Sequence, residues 1–145
     1  MKGPPVRILI VEDEALLAFE LESEVEAAGH EIVGLAAASD EATRLIETEK
    51  PQFAFVDIQL LDGPTGIDVG RLLSARGIPY VFVSGNVKRI PDDYAGALGA
   101  IEKPYTMNGL QNALSFIEAH VEGRRVGAPP PSLLLSPAIF ARRTA

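Results

Sequence analysis

The sequence predicts a doubly wound α/β domain, a (βα)5 parallel sheet with helices on both faces. Two observations carry that expectation. Short β-rich runs at residues 6–11, 32–36, 53–56 and 80–83, with a weaker one at 99–102, are almost continuously apolar. Strands covered on both faces read this way, whereas half-exposed strands alternate. Segments of helical period lie between the runs, and right-handed crossovers between parallel strands put such helices on both sides of a sheet. At 145 residues and 47% apolar side chains, the chain suffices for one core of ordinary size.

The elements follow in order. Leu17, Leu21, Val25 and Ala28 form an apolar stripe opposite Glu20, Glu22, Glu24 and Glu26, and Gly29 supplies a stop. Ser39 is placed to cap a second helix with Ala42, Leu45 and Ile46 inward, ended by Pro51. Thr65 starts a third, with Val69, Leu72 and Leu73 inward and Gly77 after it. Residues 87–97 contain Pro91, Asp92, Asp93 and Gly96, all unfavourable inside a helix. One short helical turn or a mobile loop is expected there. Thr106 caps a last helix with the stripe Leu110, Leu114, Ile117 and Val121. The predicted domain therefore covers residues 1–122. Residues 123–131 read as a linker, with Pro129–Pro131 extended as polyproline II, and an apolar tail follows with Leu133, Leu134, Leu135, Ile139 and Phe140.

Composition removes several function classes. Residues 1–122 hold nine of the 13 Lys/Arg and all 20 Asp/Glu, while residues 123–145 hold four Arg and no acid. So acidic a body is unsuited to nonspecific nucleic-acid binding, which needs cations against phosphates. The absence of cysteine excludes a disulfide scaffold and thiolate metal sites. The first apolar run is too short for a signal-peptide core or a membrane span, so a cytoplasmic chain without membrane contact is expected.

Chemistry is concentrated where the apolar runs stop. Glu12 and Asp13 follow the first run, Asp57 the third, Ser84 the fourth, and Lys103 with Pro104 the fifth. A parallel sheet gathers the carboxyl ends of its strands around one crevice. The set suits a carboxylate that accepts a phosphoryl group beside a divalent metal. Such a nucleophile is already ionised at pH 7 and needs no base; its difficulty is repulsion from the incoming phosphate. Mg²⁺, a hard cation that takes oxygen ligands and keeps exchangeable waters, answers this. Asp13 and Asp57 are the expected direct ligands, with the backbone carbonyl of Gln59 as a third and Glu12 acting through water. Lys103 supplies a second cation, and the Ser84 hydroxyl can donate to a phosphoryl oxygen.

In this order, Glu12-Asp13, Asp57, Ser84-Gly85 and Lys103-Pro104 resemble the receiver domain of two-component response regulators, over roughly residues 6–122. The resemblance implies a flavodoxin-like sheet of order 2-1-3-4-5, Asp57 as phosphoacceptor, and a sensor histidine kinase as partner docking on the first helix. It also implies a signalling protein, not an enzyme, that assists its own phosphorylation and dephosphorylation. Gln59 and Asn86 fall at positions expected to tune how fast water reaches the acyl phosphate. The segments 57–63 and 79–85 are similar to those of atypical single-domain receivers of alphaproteobacteria. One departure concerns switching: receivers carry an aromatic residue three positions before the lysine, and here that residue is Ala100. The signal is therefore expected to pass through residues 84–97.

Each residue also has a plainer role: Asp57 a loop or cap acid, Glu12-Asp13 a helix start, Ser84-Gly85 a turn, and Lys103 a solvated side chain. Only their joint placement favours chemistry. His30 and His120 read as surface or helix-end residues, Asp62 and Asp68 as turn and helix-start residues, and Tyr105 and Phe116 either both as core or one of them as an exposed partner contact. The leading expectation is a stand-alone receiver acting by contact with a downstream protein or as a phosphate sink. A pseudo-receiver working without phosphorylation is the alternative. A haloacid dehalogenase-type phosphatase is a further one, disfavoured because Gln59 stands where that family needs a second aspartate. The apolar tail or the last helix is expected to form a homodimer.

Overall fold

The computed structural model describes residues 4–124 and 127–139. Five parallel strands are β1 (Arg7–Val11), β2 (Glu31–Ala36), β3 (Phe53–Val56), β4 (Tyr80–Ser84) and β5 (Gly99–Glu102). They alternate with helices α1 (Ala15–Ala27), α2 (Ser39–Glu49) and α3 (Gly66–Ala75), and α4 (Met107–Val121) follows β5. A two-residue strand, β6 (Leu134–Leu135), pairs antiparallel with β5 and completes a sheet of order β2-β1-β3-β4-β5-β6. The expected 2-1-3-4-5 core is present, and the tail adds to it.

The continuous apolar runs divide by alternation onto two faces. Ile8, Ile10, Phe53, Phe55, Val81, Val83 and Ile101 pack with Leu21 and Val25 of α1 and Leu110, Leu114 and Ile117 of α4. Their neighbours Leu9, Val11, Ala54, Val56, Tyr80, Phe82 and Ala100 pack with Ile46 of α2 and Val69 and Leu73 of α3. Both faces are thus covered, as a doubly wound sheet requires.

Helix ends follow the sequence signals with one exception. Thr106 caps α4, its hydroxyl accepting from the Gly109 N–H at 2.9 Å. Gly77 follows α3 at φ +71, a conformation glycine adopts without Cβ strain. Ser39, by contrast, is the first residue of α2 and does not cap it. Its N–H and hydroxyl are taken by Asp62, and Glu41 reaches back to the Ala37 N–H at 2.8 Å. These contacts pin the loop before α3 onto the start of α2.

Between β4 and β5 no α-helix forms. Two 3₁₀ turns, Val87–Arg89 and Tyr94–Gly96, replace it. Ala100 is fully buried among Phe82, Ile90, Ala95 and Ala97.

Burial refines the sequence reading at α1, at His30 and at two aromatic residues. The α1 stripe has Leu21 and Val25 buried and Leu17 and Ala28 half-buried, with Ala18 buried beside them, whereas Leu16 and Phe19 are 71% and 60% exposed. His30 is not a surface residue; its side chain is 7% exposed. Its Nδ1 accepts from the Val6 N–H at 3.0 Å, which leaves Nε2–H to donate to Glu118 on α4 at 3.2 Å. Both Phe116 and Tyr105 pack on the α1/α4 core, so neither is a free aromatic. Phe140, Arg125, Arg142 and Arg143 lie outside the described residues. Among the described residues no helix is long and apolar enough to cross a membrane.

Candidate functional site

Glu12, Asp13, Asp57 and Lys103 stand one or two residues past the end of a strand and Ser84 is the last residue of one, at points where the sheet still grips the backbone. Glu12 N–H donates to Ala36 O at 2.8 Å, Asp57 N–H to Val11 O at 2.9 Å, and Lys103 N–H to Ser84 O at 2.8 Å. The parallel ladder therefore runs one step beyond the named strands. It fixes three chemical groups relative to one another before any side chain interacts.

The side chains converge accordingly. Carboxylate oxygens of Glu12, Asp13 and Asp57 all lie within 4.8 Å of one another, close enough to share one cation. Lys103 Nζ stands 2.7 Å from Glu12 Oε1 and 2.9 Å from Asp57 Oδ2. Glu12 and Asp57 are buried, whereas Asp13 is only half-buried at the crevice mouth.

Electrostatics follow from that crowding. Burial pushes the Glu12 carboxyl up to about 7; the Lys103 hydrogen bond opposes the shift and Asp57 adds to it. Burial also works against the Lys103 ammonium, but Glu12 and Asp57 outweigh it and hold its pKa above the ordinary lysine value. One cation beside three clustered acids leaves negative charge uncompensated. A divalent metal with oxygen ligands fits this donor set.

Ser84 is buried on the other side of Asp57, at the end of β4, which pairs directly with β3. Its hydroxyl oxygen accepts from the Asn86 N–H at 3.1 Å. Asn86 and Gln59 are exposed at the mouth. The Gln59 side-chain carbonyl accepts from Arg89 Nη1 at 3.4 Å, linking the loop after Asp57 to the first 3₁₀ turn. Asp62 is outside the carboxylate cluster: its hydrogen bonds to Ser39 and Thr65 hold its carboxyl below the usual range.

Sequence reasoning missed two residues that shape the site. Gly66 opens α3 directly against the acceptor, and a Cβ there would lie 1.9 Å from the Asp57 carbonyl oxygen. The only sequence signal was a glycine at a helix start. Tyr105, two residues after Lys103, buries a hydroxyl with no hydrogen-bond partner. Burial first, then Glu20 and Glu12, push its pKa up to about 12.

Comparison with known proteins places this geometry. The family described as the response regulator receiver domain matches residues 8–115. The chain is 40% identical over 84 residues to the phyllosphere-induced regulator PhyR of Methylorubrum extorquens, covering 57% of this chain and 32% of that protein. It is 34% identical over 118 residues to the transcriptional regulatory protein PdtaR of Mycobacterium tuberculosis, covering 77% and 56%. It therefore spans about a third of one curated relative and just over half of the other. The solution structure of the PhyR receiver domain of Erythrobacter litoralis superposes with a TM-score of 0.71 at 26% identity, covering 86% of this chain and 95% of that one.

Proposed function

Because the chain belongs to the response regulator receiver family, we propose that it accepts a phosphoryl group on Asp57 from a sensor histidine kinase. It then signals through contact with a downstream protein or drains phosphate from a relay. The observation that carries this reading is the Lys103 ammonium, 2.9 Å from Asp57 and 2.7 Å from Glu12, at the edge of a three-carboxylate cluster.

The chemistry is a displacement at phosphorus. An Asp57 oxygen forms the new P–O bond as the P–N bond of the donor imidazole breaks, and the bonding pair stays on the ring nitrogen. Asp13, Asp57 and the Gln59 backbone carbonyl would hold Mg²⁺, with Glu12 acting through water. When bound, the ion neutralises charge on the phosphoryl oxygens and orients them. Lys103 moves its charge from the carboxylates to a phosphoryl oxygen. The Ser84 hydroxyl accepts from Asn86 N–H and so keeps its own hydrogen free to donate to another. Gln59 and Asn86, exposed at the mouth, control the approach of water to the acyl phosphate.

Leu16 and Phe19, exposed at the start of α1 close to Asp13, support α1 as the docking face for the kinase. A homodimer has narrower support. The exposed positions Asn108, Gln111, Asn112 and Ser115 make the outer face of α4 polar. The tail leucines, meanwhile, lie on their own sheet. Exchange of that tail between copies would be the route, and sedimentation of the full chain reads it.

Acetyl phosphate or a phosphorylated kinase, followed by intact-mass measurement, tests the central reading. One phosphate is expected on the wild type and none on Asp57→Asn. Labelling that persists in Asp57→Asn moves the acceptor elsewhere. A wild type that takes no phosphate from either donor, with the fold intact, transfers the reading to a pseudo-receiver.

A further inference from the structure

The C-terminal tail lies along the outer edge of β5, the strand whose end carries Lys103. Leu135 stands opposite Gly99 and Leu134 opposite Ala100, and the Ser136 N–H donates to Leu98 O at 2.8 Å. The Ser132 hydroxyl donates to Gly109 O at 2.7 Å, and Leu133 and Ile139 are buried. Two glycines make room for this. A Cβ on Gly99 would lie 2.2 Å from Leu134 O, and its other near neighbours are also tail atoms. A Cβ on Gly109 would come within 3.2 Å of Ser132 Cβ. The edge therefore fits an uncharged extended segment, and residues 132–136 fill it with only two residues in strand pairing.

The same segment borders the candidate site. Lys103, Pro104 and Tyr105 form one wall of a cleft of about 570 Å³, and Pro131, Ser132 and Leu134 line it from the tail. Ser84 pairs with Glu102, and Lys103 N–H is bonded to Ser84 O. Displacement at the end of β5 thus reaches Ser84 on one side and the tail on the other. In the observed arrangement the tail is docked while Lys103 is drawn onto Glu12 and Asp57.

We propose that β6 is a latch over the β5 edge, docked in the unphosphorylated protein and released when a phosphoryl group on Asp57 draws Lys103 outward. The inference rests on the phosphoacceptor reading above. It supplies an output for a receiver whose Ala100 has no ring to move: phosphorylation uncovers a strand edge and the apolar surface beneath Leu133. Linkage is reciprocal, so whatever loosens the tail must favour the phosphorylated geometry by the same factor, about 5-fold or more for a coupled pair of this kind.

The test uses the full chain with beryllium fluoride and Mg²⁺ as the phosphoryl mimic, read by hydrogen exchange and by titration. The peptide covering residues 132–136 is expected to exchange about 5-fold faster or more with the mimic bound. Gly99→Ala, which displaces the tail from the strand side, should bind the mimic about 5-fold more tightly. Ser136→Pro, which removes the N–H given to Leu98, should do the same from the tail side. Acetyl phosphate labelling of all three proteins runs in parallel. Tail exchange that stays constant or slows, or variants that bind the mimic like the wild type while Asp57 is labelled, overturns the latch alone. A wild type that is not labelled removes the phosphoacceptor reading and the latch with it.

Discussion

The two halves of this domain hold the same kind of site residue in different ways. From β1 to α3, three regular βα units carry Glu12, Asp13 and Asp57, and α3 is pressed so closely on the acceptor that only Gly66 fits. From β4 onward, Ser84 and Lys103 flank a segment of two 3₁₀ turns, and a two-residue strand closes the edge of β5. The acids are followed by regular helices, whereas the segment that joins the hydroxyl to the ammonium has only two 3₁₀ turns, although β4 and β5 themselves are fully paired. Carboxylates that repel one another need a rigid frame. Groups that must follow a phosphoryl oxygen need one that reorders at low cost.

The largest expected effect is on the stiff half. Mg²⁺ at about 100 times its Kd should stabilise the protein by about 2.7 kcal/mol. Asp13→Ala should remove most of that gain in thermal melts; an unchanged gain would place the ion elsewhere. Next, Gly66→Ala should cost about 1–3 kcal/mol through overpacking against the Asp57 carbonyl and slow labelling of Asp57. The equivalent change at Gly85, where a Cβ meets nothing within 4 Å, should cost far less. If denaturant melts give the two changes equal cost, the halves do not differ in stiffness.

A smaller effect concerns Glu12. Its folded pKa of about 7 lies above the ordinary glutamate value of 4.5, so folding favours the protonated acid. Its contribution to stability is full below about 4.5 and declines as pH rises through about 7. Without metal, the melting temperature should therefore fall across that window, and Glu12→Gln should flatten the slope. The smallest effect is on the adaptable half. Beryllium fluoride should change hydrogen exchange most in residues 84–97 and at the tail, with little change in α2 or α3. Protection confined to α4 would reject this route.

Much of this was legible in the chain because parallel strands buried on both faces leave their first polar residue at the carboxyl end. Asp57 after Val56, Glu12 after Val11 and Ser84 after Val83 are readable for that reason. The weak β4–β5 interval was legible too, since Pro91 and Gly96 disfavour a helix by local propensity alone. The α1 face was legible in Leu21 and Val25, but that Ala18 is covered more fully than Leu17 was not, because only the packing partner decides how deeply each residue of a helix is buried.

By itself, then, the sequence determined the alternation of strands and helices, the polar groups at the strand ends and an apolar tail, since local pattern and propensity act over a few residues. Tertiary structure alone decided that Lys103 bridges Glu12 and Asp57, that Gly66 rests on the acceptor's carbonyl, that His30 ties β1 to α4, and that the tail pairs with its own β5. All but the Gly66 contact join positions far apart in the chain. Such contacts depend on strand register and helix placement, which exist only once the sheet has formed.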